Sequence, residues 1–156
     1  MNLTGPNQYQ TRHQALRAAP SMIALAILTF PQISLALDDL QKGAKLYQEN
    51  CASCHGENLE GEPNWREQNP DGSMKAPPHD DTGHTWHHPD EMLFTYTKLG
   101  GEETLRQMGV TGVKSGMPPF SDILTDEEIA LVLNFIKTNW SERSAKYQSE
   151  LTEQNQ

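Results

Sequence analysis

The chain has 156 residues, room for one domain of ordinary size. Its 12 basic and 21 acidic residues leave a formal charge of −9, which opposes nucleic-acid binding, and an apolar content of 35% is too low for a multi-span membrane protein. Two cysteines can build neither a multi-disulfide scaffold nor a four-thiolate zinc or iron–sulfur site.

Residues 1–36 contain no acid. Arg12, His13 and Arg17 make a basic stretch, Met22 to Phe30 an apolar core, and Pro31 ends it. Ser34-Leu35-Ala36 then offers small residues to a signal peptidase, so residues 1–36 read as a secretory signal cleaved after Ala36. An uncleaved anchor is the rival reading, because residues 18–37 carry no charge. Pro20, Ser21, Gln32 and Ser34 dilute that stretch, and the pure apolar core is short for a bilayer. Removing residues 1–36, which hold Arg12 and Arg17, takes the charge from −9 to −11 over the remaining 120 residues. Either way the rest of the chain is exported, and a bacterial periplasm is the expected location.

Leu37 to Asn50 is expected to be helical, capped by Asp38 or Asp39, with Leu40, Ala44 and Tyr47 on one face. Gly43 weakens that helix by about 1 kcal/mol relative to alanine, either by chance or because another backbone passes close. Residues 56–88 form a polar segment with Pro63, Pro70, Pro77 and Pro78, long enough to wrap something. Pro89-Asp90-Glu91 opens a second helix, which Gly100-Gly101 stops. Residues 102–124 read as a second loop. Thr125-Asp126-Glu127-Glu128 is a capping box, and Ile129, Val132, Leu133, Ile136 and Trp140 make one apolar stripe. Residues 141–156 are polar and are expected to fray as a tail. The organisation is thus a leader (1–36), an all-α domain (37–140) and a polar tail (141–156).

Cys51-Ala52-Ser53-Cys54-His55 is C-x-x-C-H, the attachment pattern of c-type haem. Two thiols three residues apart reach the two vinyl groups of one porphyrin, and the next imidazole lies under the iron. A Cys51–Cys54 disulfide is the alternative, but no βαβ pattern accompanies it, and His55 stands in the one required place.

From these residues the chain resembles the single-haem class I c-type cytochromes, over about the whole of residues 37–140. The resemblance implies an all-α cytochrome c fold, with three main helices and long loops around one covalent haem c. It implies attachment through Cys51 and Cys54, and His55 as one iron ligand. Gly116-Met117-Pro118-Pro119-Phe120 looks like the family's distal-ligand loop, making Met117 the other. It also implies a crossing of the first and last helices at Gly43, and a loop carbonyl, Pro63 being the nearest candidate, for the second nitrogen of His55. Met74, Met92, Met108 and the downstream histidines compete with Met117, but only Met117 is followed by two prolines that stiffen its backbone.

A thioether opposite a histidine favours ferrous iron and, with both axial positions filled, suits electron transfer over turnover. Redox proteins with a basic docking patch are the expected partners, and the membrane is one only if residues 1–36 stay attached. A haem enzyme or gas sensor with a displaceable Met117 is the alternative. The segment holding His79, His84, Trp86, His87 and His88 resembles stretches in some bacterial members of the family. It could pack around the haem propionates, lie on the plain surface, or bind a second metal, and the last option would make the chain a copper-handling accessory.

Overall fold

A computed structural model describes Met1 and residues 31–155. The basic stretch and apolar core of the expected leader lie outside the described residues. Helix α1 (Pro31–Asn50) leads directly into the short α2 (Ala52–His55). A two-residue strand β1 (Ser73–Met74) and a single 3-10 turn (Thr85–His87) punctuate the loop that follows. Then come α3 (Asp90–Leu99), α4 (Gly101–Gln107), β2 (Lys114–Ser115), α5 (Asp126–Lys137) and α6 (Glu142–Gln154). The fold is all-α, as the sequence implies.

Two expected boundaries move. Helix α1 runs through Asp38 and Asp39 rather than starting at them, because nothing between Pro31 and Asp38 breaks a helix, and proline is tolerated in a first turn. Residues 101–107, expected in a loop, form α4, with Gly100 at φ +80° as the corner between α3 and α4.

The core lies between α1 and α5. Tyr47, Ile129, Val132 and Ile136 are buried there with Leu59, Phe120, Leu124 and Trp140. The capping box at Thr125 is present in both directions and fixes where the apolar stripe of α5 begins. Gly43 faces the backbone of α5. A Cβ there would collide with the Leu131 carbonyl oxygen and come within 2.9 Å of its carbon. The glycine therefore lets the two helices cross in close contact.

The expected tail is a docked helix. Ser141 caps α6, and its N–H and hydroxyl reach the Asp81 carboxylate at 3.0–3.2 Å. Ser144 and Gln148 are buried. Gln148 Nε2 donates to the His88 carbonyl at 3.3 Å and to Asp90, which also pairs with Lys137. The buried residues of α6 are Ser144 and Gln148, with only Ala145 packed on the apolar core beside them, so no long apolar period announces it.

Candidate haem site

The cysteine–histidine motif occupies one turn at the C-terminal end of α1. Tyr47, fully buried, donates its hydroxyl to the Gly56 carbonyl at 2.9 Å and so clamps the turn after the motif. Cys51 and Cys54 are unpaired thiols. Burial, with the neighbouring Cys54 adding to it, pushes the Cys51 thiol up to about 11. Reactive redox pairs depend on a depressed thiol pKa, the opposite of the shift at Cys51.

His55 is buried, 8% exposed. Its Nδ1–H donates to the Pro77 carbonyl at 2.8 Å, which leaves Nε2 as the ring nitrogen with a free lone pair. The expected carbonyl was that of Pro63; the structure places Pro77 there instead. Gly61 makes this possible. Its φ is +69°, and a Cβ would sit 2.5 Å from Pro78 N and 2.7 Å from the Pro77 carbonyl carbon, so a side chain would push that carbonyl off the histidine. Nearness in sequence to Pro63 is misleading because the loop returns on itself: Glu62 N–H donates to Ala76 O at 2.9 Å, and Ala76 N–H to the Glu62 carboxylate at 2.6 Å. Burial lowers the His55 pKa despite the bond to Pro77 and the nearby Glu62, which favours the neutral imidazole.

Met117 is half-buried and packs against the same core cluster as Cys51. Its backbone is held from both sides. Gly101 N–H donates to the Met117 carbonyl at 3.0 Å, and Met117 N–H donates to Ser115 Oγ at 3.2 Å. Gly100 lies under this strand: a Cβ there would sit 2.7 Å from Pro119 N and 3.1 Å from the Met117 carbonyl oxygen. The Gly100-Gly101 pair, legible in sequence only as a helix stop, is thus also the seat of the methionine loop. The parallel pairing of Ser73 with Lys114 and Met74 with Ser115 ties the loop to the first long segment. Of the competitors, Met74 and Met108 are exposed, 38% and 52%.

The four histidines of residues 79–88 go to different places. His79 stacks on His55, His84 on Trp65, and His87 packs edge-on against Trp86 and Tyr147, while His88 meets His84 edge-on. Among the described residues, no group of three or more His, Cys, Asp or Glu side chains is placed to hold a metal ion. Two buried nitrogens in this segment, Trp86 Nε1 and His84 Nδ1, have no hydrogen-bond partner. Leu59 adopts φ +69°, a left-handed conformation that disfavours an L-residue by roughly 1–2 kcal/mol. Its carbonyl accepts the N–H groups of His79 at 2.8 Å and Asp80 at 3.3 Å.

The donor set therefore fits a covalently attached haem: two unpaired thiols and an oriented, neutral imidazole on one turn, with a soft thioether on an anchored loop packed against the same core. The fold and this site define a c-type cytochrome. The family model for cytochrome c matches residues 40–140, and the chain belongs to that family. Its cofactor is accordingly a covalently bound haem c, and its chemistry is haem-based electron transfer with redox partner proteins. No curated protein and no solved structure matches the chain. None of the described helices is long and apolar enough to cross a membrane.

Proposed function

We propose that this protein is an exported, periplasmic carrier of one electron, a single-haem class I cytochrome with histidine and methionine as axial ligands, and that it is not an enzyme. Cys51 and Cys54 would hold the haem through thioethers, His55 Nε2 and Met117 Sδ would ligate its iron, and residues 37–140 form the functional domain after a leader that ends at Ala36. The observation that carries this reading is the His55–Pro77 hydrogen bond of 2.8 Å on the same turn as both thiols. It orients one nitrogen and leaves the other for iron.

Bound haem supplies a ferric–ferrous couple, with no bond made or broken in the protein. The chain's own residues set the conditions for it. Gly61 and Pro77 fix the proximal imidazole, while Gly100, Gly101 and Ser115 hold the backbone of Met117. Two filled axial positions leave no room for a substrate. The unpartnered Trp86 indole N–H supports a role for its segment beside the haem, because propionate carboxylates are the acceptors that the cofactor brings.

The test is carbon monoxide binding to the reduced holoprotein at neutral pH, alongside a potentiometric titration. A reversible one-electron wave with no carbon monoxide adduct is expected. Ready adduct formation would replace the carrier reading with that of a sensor or enzyme having a displaceable Met117.

A further inference from the structure

Of the four downstream histidines, His79 is the one whose ring stacks on that of His55. Its ring lies face to face with that of His55, the centroids 4.0 Å apart and the planes 19° apart. We propose that His79 is a positioning residue for the proximal ligand, a flat wall that fixes the rotation of the His55 ring and so sets the ligand plane beneath the haem. The inference rests on the reading of His55 as the iron ligand.

One hydrogen bond does not do this alone. The outer torsion of a histidine is broad, and a carbonyl oxygen accepts N–H groups over a wide range of directions. Pro77 therefore restrains the direction of Nδ1 but tolerates a swing of the ring. A second ring in van der Waals contact with one face narrows that swing.

A wall works only if it cannot move, and His79 is held at its backbone, at Nδ1 and at one ring edge. Its N–H donates to Leu59 O at 2.8 Å, and its own carbonyl accepts Trp140 Nε1–H at 2.8 Å. Thr85 Oγ1–H donates to Pro78 O at 3.3 Å, so Oγ1 is left to accept from His79 Nδ1–H at 2.9 Å. That pairing restrains the ring at its Nδ1 edge. Tyr47 meets the ring edge-on, the centroids 6.2 Å apart. The left-handed Leu59, whose carbonyl receives His79, shows that the chain tolerates backbone strain at this anchor. Thr85 belongs to the 3-10 turn against which α6 packs. The histidine-rich segment and the C-terminal helix thus reach the ligand by packing.

The test uses the oxidised holoprotein and reads the proton NMR shifts of the four haem methyls, which report the ligand plane, with the reduction potential. His79→Leu removes the flat face and is expected to reorder or narrow the methyl shifts and move the potential. His79→Phe keeps a flat face but, like Thr85→Val, gives up the Thr85 hydrogen bond, so it should retain the wild-type order of the methyl shifts with no more change than Thr85→Val shows. Thr85→Val leaves the ring but frees it, and should broaden or partly shift the same resonances. A folded Leu variant with wild-type shifts and potential would overturn the proposal, as would a Phe variant that behaves like the Leu one. If the Leu variant does not fold, wild-type methyl shifts in Thr85→Val overturn it. His55→Ala serves as the control: an unchanged haem spectrum there would remove the ligand assignment itself, a failure distinct from that of the wall.

Discussion

The α1–α5 crossing and the α6 dock are built from opposite materials. The first is apolar: Tyr47 against Ile129, Val132 and Ile136, with Gly43 admitting the Leu131 carbonyl. The second is polar: Ser141 on Asp81, and Gln148 shared between His88 and Asp90. Apolar packing writes a 3.6-residue period into the sequence, whereas polar packing reads as a solvated face. The comparison teaches that buried hydroxyls and amides can dock a helix whose sequence looks like a tail.

The largest effect is expected where the apolar region meets the cofactor. Cys51→Ala combined with Cys54→Ala should abolish covalent haem and leave a largely unfolded chain, because 35% apolar content is thin for a core without the porphyrin. Circular dichroism and thermal melting check this, and a cooperatively melting double variant would show that the α1–α5 core stands alone. Gly43→Ala should lower stability by about 1–3 kcal/mol, since the Leu131 backbone would have to retreat. A melting temperature equal to that of the wild type would deny the close crossing.

Gln148→Leu sharpens the other side. Removing the amide from its half-buried partners should lower stability by about 0.5–1.5 kcal/mol, read by denaturant unfolding, whereas a frayed tail would show no change. The dock should also depend on pH. Burial alone would raise the Asp90 pKa, but Lys137, Gln148 and Thr152 outweigh it and hold the carboxyl below its ordinary range. The stabilisation is then present above the unfolded pKa of about 4 and is lost as pH falls through the lower folded value. Acid unfolding of Asp90→Asn should lack that component.

The smallest effect concerns encounter. The acidic charge of the chain should make a cationic redox reagent react faster than an anionic one, and the difference should shrink with salt over a Debye length of about 10 Å at 0.1 M. Not every acid is free to steer: Glu62 holds the Ala76 N–H, and Glu67 pairs with Lys75. Equal rates at low salt would leave solubility as the role of the charge.

The fold class, the capping box at Thr125 and the stripe of α5 were legible in sequence, because each rests on local spacing; Gly43 was legible only as chance or a close backbone until the resemblance implied a helix crossing there. The motif at Cys51–His55 is contiguous and equally plain. Pro77 was not, since its place depends on a loop that folds back over Gly61, and Pro63 stood nearer the motif in sequence. His79 was one of four similar histidines, and only the fold singles it out. Helix α4 was hidden by the glycines around it, and α6 by its polar buried face.

The central claim is that His55 and Met117 hold the iron of a covalent haem in a carrier of electrons. It is tested most directly by the near-infrared absorption of the oxidised holoprotein beside that of Met117→Ala. The account predicts a weak sulfur-to-iron band in the wild type that disappears in the variant, with His55→Ala disturbing the spectrum from the other side. A wild-type spectrum without the band, unchanged in Met117→Ala, would contradict it.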